Sequence, residues 1–248
     1  MKIFSVIGYT LSGKTTTIEN IIKELKKRKY SVGSIKDIHF EKFKIDKEGT
    51  NTYRHGEAGS EIVTARGYYE TDILFPHKLS IEEILEFYSQ DFVIMEGVTD
   101  YNLPIILCAQ NEAEIEEKLS DKVFAISGRI SNSINEYKKI PVINAVEDTV
   151  RLVDFIEEKV YEKLPDYPPE CCSKCGYDCR TLGTRILQGL SKREDCVVLE
   201  RNITLKIDGK IVGMVPFVQD ILYDVVEGVV KNLHGYRKGK IIEIKIGG

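Results

Sequence analysis

The stretch Ile3-Phe4-Ser5-Val6-Ile7-Gly8-Tyr9-Thr10-Leu11-Ser12-Gly13-Lys14-Thr15 decides how the rest of the chain is read. An apolar run of strand length passes into a glycine-bounded turn. Ile18, Ile21, Ile22 and Leu25 then recur at i, i+3, i+4 and i+7, which predicts a helix from about Lys14 to Lys29. Gly8 to Thr15 satisfies G-x-x-x-x-G-K-[ST] between that strand and that helix, the context in which the motif carries weight. The glycines let the backbone curl so that successive N–H groups point inward, and the helix N-terminus adds partial positive charge for a phosphate. Lys14 is then placed to reach β- and γ-phosphates and Thr15 to hold Mg²⁺, with Gly8, Thr10, Ser12, Gly13 and Thr16 completing the cradle.

Working outward, a second strand over Ser31 to Lys36 closes a βαβ unit. This predicts an α/β fold of the P-loop NTPase type, a mostly parallel sheet with helices on both faces. Asp37 to Tyr53 is polar and aperiodic and reads as a long loop near the strand ends. Ser80 with Glu83 forms a capping box for a helix through Tyr88, followed by a buried-type strand, Asp91 to Gly97, that ends in a carboxylate. Further strands are expected at Pro104 to Leu107, Val123 to Ile126 and Pro141 to Ile143, then a helix from about Glu147 to Glu162. The C-terminal ends of strands in an open parallel sheet line one crevice, so Asp37 and Glu96 are the candidates for a metal-side carboxylate. No N-K-x-D guanine-reading sequence occurs, so no motif assigns the base.

Composition bounds the function class. With 248 residues, 42% hydrophobic and 30% charged, the chain can fill a large core and a small one. A net charge of −4 gives no general attraction to a nucleic-acid backbone. No apolar run approaches the roughly 20 residues of a membrane helix, and Ile3 to Ile7 is too short for a signal segment, so a soluble cytoplasmic protein is expected. The prolines at 165, 168 and 169 mark an extended connector. The expected organisation is a nucleotide-binding domain over 1–163, a linker over 164–170 and a small α+β module over 171–248. In that module Ile203, Leu205 and Ile207 lead through Asp208-Gly209, a hairpin signal, to a return strand over Lys210 to Val215. An amphipathic helix from Phe217 to Leu233, stopped by Gly235, and a last strand at Ile242, Ile244 and Ile246 complete it.

Five of the six cysteines cluster between positions 171 and 196, the pattern of a metal site rather than of a disulfide framework. Cys172, Cys175, Cys179 and Cys196 supply four thiolates, a set that zinc and an iron–sulfur cluster both accept. Three thiolates crowd one end and the fourth returns after a helix-like stretch, which favours a cluster. With Cys175-Gly176 and Gly189 in place, the segment is similar to the [4Fe–4S] modules of corrinoid iron–sulfur proteins, with one residue fewer before the third cysteine. Cys171 reads as a spare or alternative ligand and Cys108 as a small buried apolar residue.

The loop Gly8 to Thr16, Ile35-Lys36-Asp37-Ile38-His39, Asp46 to Arg54 with Ala58-Gly59, and Met95-Glu96-Gly97 together resemble the MobB family over roughly residues 1–163. That family comprises GTP-binding accessory proteins of molybdopterin guanine dinucleotide biosynthesis. The resemblance implies GTP with Mg²⁺, slow hydrolysis and a homodimer. It also implies partnership with the molybdopterin guanylyltransferase and with molybdenum or tungsten enzymes. By position it makes Lys36, His39, Asp46, Arg54 and Glu96 the site residues outside the loop. The chain departs from the family at Asp37, where a histidine is usual, and at Asn51-Thr52, where Asp-Ser is usual. Two other functions fit the same motifs: a nucleotide-gated electron-transfer ATPase, and a non-enzymatic switch with a zinc-stapled docking domain.

Overall fold

A computed structural model describes residues 1–165, 175–196, 203, 205–207, 210–212, 214, 216–236 and 242. The chain divides into two compact units, Met1–Lys163 and Leu164–Gly248. The first begins with β1 (Lys2–Gly8), α1 (Lys14–Lys27), β2 (Val32–Lys36) and α2 (Asn51–Glu57). A hairpin of β3 (Val63–Arg66) and β4 (Thr71–Leu74) follows, then α3 (Ile81–Leu85), β5 (Phe92–Glu96), β6 (Ile105–Cys108), α4 (Glu112–Lys118) and β7 (Val123–Ser127). The two-residue strands β8 (Glu136–Tyr137) and β9 (Ile140–Pro141) precede α5 (Thr149–Lys159).

Five strands form one sheet in the order β2-β5-β1-β6-β7, and every pairing in it is parallel. Connections from β1 run first to one side, to β2, and later to the other, to β6 and β7. The direction therefore reverses at β1, and a crevice opens at its C-terminal end. Alternating side chains bury both faces. On one face Ile3, Val93 and Met95 pack with Leu85 of α3, while Ile7, Leu107 and Ile126 pack with Ile115 of α4. Phe4, Val6, Ile94 and Ile106 turn to the other face, which α1 and α5 cover with Ile21, Leu25, Leu152 and Ile156. Arg28 at the end of α1 ties those two helices together, bonding Asp154 at 2.7 Å and also Glu157.

The α/β fold with a mostly parallel sheet stands as expected, while several local elements differ. The Ser80–Glu83 capping box is present, but its helix stops at Leu85 rather than Tyr88. The polar loop ends earlier than expected because the Thr50 hydroxyl accepts from the Tyr53 N–H and caps α2. Instead of a strand over Pro141 to Ile143 there is a short hairpin, and Val142 and Ile143 only graze β7 through a single parallel bridge. The helix expected from Glu147 starts at Thr149; ahead of it Asn144 Oδ1 accepts the Val146 and Glu147 N–H groups in a turn. The β3–β4 hairpin and α4 had no clear signal in the sequence.

In the second unit the described elements are α6 (Cys179–Leu187), β10 (Leu205–Ile207) paired antiparallel with β11 (Lys210–Val212), and α7 (Pro216–Val230). The Asp208-Gly209 turn and the Ile244 and Ile246 positions of the last expected strand lie outside the described residues.

Because Ile21 is fully buried between α1 and the sheet, Ile21→Ala should cost about 2–5 kcal/mol, the usual range for such a truncation. Urea unfolding should show an earlier midpoint with an unchanged slope.

Candidate functional site

The loop between β1 and α1 is held by close backbone contacts. A Cβ on Gly8 (φ +149°) would sit 2.1 Å from the Cys108 carbonyl oxygen, and one on Gly128 (φ +83°) would sit 2.2 Å from the Ser12 carbonyl oxygen. Only glycine allows the ends of β1, β6 and β7 to close on the loop in this way. The Arg129 N–H donates to that same Ser12 oxygen at 3.1 Å. Ser12 is 0% exposed, and its hydroxyl is the one buried side-chain polar atom without a hydrogen-bond partner among the described residues. An unpaired hydroxyl inside a curl of backbone amides fits a loop built to meet an anion.

Lys14 Nζ donates to the Gly8 and Tyr9 carbonyl oxygens at 3.0 and 2.6 Å, which holds the ammonium over the mouth of the loop. The Thr15 hydroxyl donates to Glu96 Oε1 at 3.3 Å, and Lys36 Nζ meets the same oxygen at 3.1 Å. Strand register explains this meeting. Lys36 and Glu96 are direct partners at the ends of β2 and β5, and Val6 faces Glu96 from β1, so three strand ends converge two residues short of the loop. Asp37 follows one residue on, with His39 Nε2 at 3.8 Å and Lys78 Nζ at 3.7 Å from its carboxylate. A hydroxyl beside a carboxylate at the edge of a phosphate loop suits Mg²⁺, which takes one or two protein oxygens and fills the rest of its shell from phosphate and water.

These groups line one open cleft of about 1350 Å³. Gly8, Thr10, Gly13, Lys14, Thr15, Thr16, Lys36, Asp37, His39 and Glu96 all border it, with Ser12 buried beneath the loop. Asp46 and Arg54 do not. Asp46 instead accepts from the Thr50 hydroxyl at 2.7 Å and the Lys47 N–H at 2.9 Å, bonds that hold its carboxyl below the usual carboxylate range and brace the start of α2. Tyr9 is turned away from the cleft, bonded to Glu117 with Lys118 4.3 Å over its ring. On the far side from Glu96 the cleft is bordered by Gly128, Arg129, Asn132 and Asn144 to Glu147, none of which stood out in the sequence. Their involvement depends on the β6–β7 end of the sheet folding over the loop, which no local pattern encodes.

Beneath the loop, Cys108 lies with its thiol 3.5 Å from the Thr17 hydroxyl; burial pushes its pKa up to about 12, with the Thr17 bond opposing in part. In the second unit Cys179 opens α6 and is buried, Cys196 is buried after a 3-10 turn, and Cys175 is half-buried. Cys171 and Cys172 lie outside the described residues. Among the described residues no three His, Cys, Asp or Glu side chains are grouped to hold a metal ion. No described helix is long and apolar enough to cross a membrane.

A parallel sheet that reverses at β1, with a glycine-bounded loop running from that strand into the N-terminus of a helix, defines an α/β protein of the P-loop NTPase class. The chain belongs to the MobB family: residues 3–128 match the family described as molybdopterin guanine dinucleotide synthesis protein B. A relative from Methanocaldococcus jannaschii is 31% identical over 253 aligned positions, covering 99% of this chain and 97% of its own. It is named, with a qualifier, as a molybdopterin-guanine dinucleotide biosynthesis adapter protein. The molybdopterin-guanine dinucleotide biosynthesis adapter protein of Haemophilus influenzae is 28% identical over 165 positions, 62% of this chain and 87% of its own. The crystal structure of Bacillus subtilis MobB shares the fold, with a TM-score of 0.55 at 21% identity over 66% of this chain and all of that one.

With its pKa near 12, Cys108 should carry almost no thiolate at pH 8.5. Alkylation followed by mass mapping should find it modified about a thousandfold more slowly in the native protein than in urea. The fold favours the neutral thiol, so the stability it confers is complete below the unfolded value of about 8.5 and is lost as pH rises towards 12.

Proposed function

We propose that this chain is the nucleotide-binding adapter of molybdopterin guanine dinucleotide biosynthesis, binding GTP with Mg²⁺ in the cleft above β1. The observation that carries this reading is the meeting of Lys14, Thr15, Lys36 and Glu96 around one phosphate loop. Family membership supplies the pathway. Backbone amides of Gly8 to Thr15 would bind the β-phosphate, and Lys14 would swing from its loop carbonyls to neutralise the β- and γ-oxygens. Thr15 and Glu96 would hold Mg²⁺, which screens phosphate charge when bound. Lys36 fixes the Glu96 carboxylate, and Asp37, held between His39 and Lys78, would orient water for slow hydrolysis. The protein would act on the molybdopterin guanylyltransferase as a homodimer.

In the second unit, on cysteine spacing alone, we propose Cys172, Cys175, Cys179 and Cys196 as thiolate ligands of a [4Fe–4S] cluster, with zinc as the alternative occupant.

Lys14→Ala should weaken GTP binding at least about tenfold, since hydrogen bonds to charged groups contribute about 1.5–3 kcal/mol. Calorimetry on the full chain measures this, and an unchanged affinity would overturn the phosphate-loop assignment. Anaerobically purified protein should contain about four irons per chain and absorb broadly near 400 nm. Cys175→Ser should lose that iron, because a hydroxyl is a poor replacement for a soft thiolate. One zinc per chain without iron would replace the cluster by the alternative.

A further inference from the structure

Resting on the reading of the cleft as a GTP site, we propose that Glu147 reads the guanine base, positioned by the Asn132–Asn144 pair. The polarity of the bound nucleotide follows from the sheet. Thr15, Glu96, Lys36 and Asp37 gather at the ends of β2 and β5. The metal-bound γ-phosphate end of a triphosphate must therefore point to that side of β1. Ribose and base then extend the other way, over the ends of β6 and β7, where the cleft continues between Arg129, Asn132 and the turn from Asn144 to Glu147.

That far wall is built and fixed to the phosphate loop. The Arg129 N–H donates to the Ser12 oxygen, and the 3-10 turn Arg129–Asn132 carries Asn132, whose Oδ1 accepts from Asn144 Nδ2 at 2.8 Å. Asn144 Oδ1 in turn accepts the N–H groups of Val146 at 2.8 Å and Glu147 at 3.1 Å. Both ends of the Asn144 amide are spent on holding the turn, so Asn144 positions and does not read. Asp148, the next acid along, is paired with Arg151 at 3.5 Å. The Glu147 carboxylate is exposed at the cleft rim and has no ion-pair or hydrogen-bond partner among the described residues.

Guanine offers N1–H and an exocyclic 2-amino group side by side, two parallel donors that match the two oxygens of a carboxylate. Adenine places a lone pair at N1, which a carboxylate repels. The side-chain NH₂ of Asn132, whose oxygen is already taken by Asn144, is the complementary donor for the guanine O6. The stretch Asn144-Ala145-Val146-Glu147 thus keeps an amide and a carboxylate three residues apart, with alanine where a lysine stands in the N-K-x-D sequence.

The test is calorimetric titration of GTP, ATP and xanthosine triphosphate into the full-length wild type and the E147Q and D148N variants with Mg²⁺. Wild type should prefer GTP to ATP by at least about a hundredfold, as expected when a site's polar groups are left unpaired by the wrong base. E147Q should lose that preference and gain affinity for xanthosine triphosphate, whose C2 carbonyl accepts from the new amide while its N1–H donates to the amide oxygen. A gain of affinity also shows that the variant is folded. D148N should behave as wild type. Equal wild-type binding of GTP and ATP, or E147Q retaining the wild-type preference, would overturn the base-reading role while leaving the phosphate-loop reading intact. Absence of binding to any triphosphate would overturn both.

Discussion

The structure of the first unit turns on two places where a side chain cannot exist. At Gly8 the strand passes so close to the Cys108 carbonyl, and at Gly128 the chain so close to the Ser12 carbonyl, that a single methyl group would force the strand ends apart. Those approaches fasten the phosphate loop to β6 and β7, while Glu96 and Lys36 reach it from the opposite flank. The loop is therefore a clamped segment whose curvature is set by its neighbours, the preorganisation that anion recognition by backbone amides requires.

Much of this was legible in the residues because the signals are local. The apolar run before Gly8, the i, i+3, i+7 spacing of Ile18, Ile21 and Leu25, and the Ser80–Glu83 box each specify an element with little help from tertiary context. Glu96 was legible as a strand-end carboxylate and Lys36 through the family resemblance, and parallel register brings them together. Asp46 and Arg54 entered only through family position, and the chain uses Asp46 to brace a turn outside the cleft. The far wall was not legible. Asn132 and Asn144 are twelve residues apart and acquire meaning only through their 2.8 Å amide contact, and the Asn144 side chain accepts the Val146 and Glu147 N–H groups in the turn ahead of α5.

Charge is divided along the cleft in a way that separates the tasks of its two ends. Near Glu96 the cations Lys14 and Lys36 and the carboxylates of Asp37 and Glu96 alternate, so both signs of charge lie within a few ångströms. At the other end the amides of Asn132 and Asn144 stand with one cation, Arg129, and one carboxylate, Glu147. Among the described residues, those that border the cleft all lie between Ile7 and Glu147. The Methanocaldococcus jannaschii relative aligns over 99% of the chain and so takes in both units, whereas 62% is covered by the Haemophilus influenzae protein.

The central position of β1 also sets the order in which the molecule can be assembled. Its partners are β5, about ninety residues along the chain, and β6, about a hundred, and the loop's last clamp comes from Gly128. A ribosome delivering this chain releases the phosphate loop first and its supports much later. For most of synthesis the glycine-rich turn exists without the carbonyls that define its shape, and a ligand has nothing preformed to hold. Competence therefore arrives in one step, when the β6–β7 end closes over the loop, and a chain truncated before Ser127 carries the full motif while lacking the site.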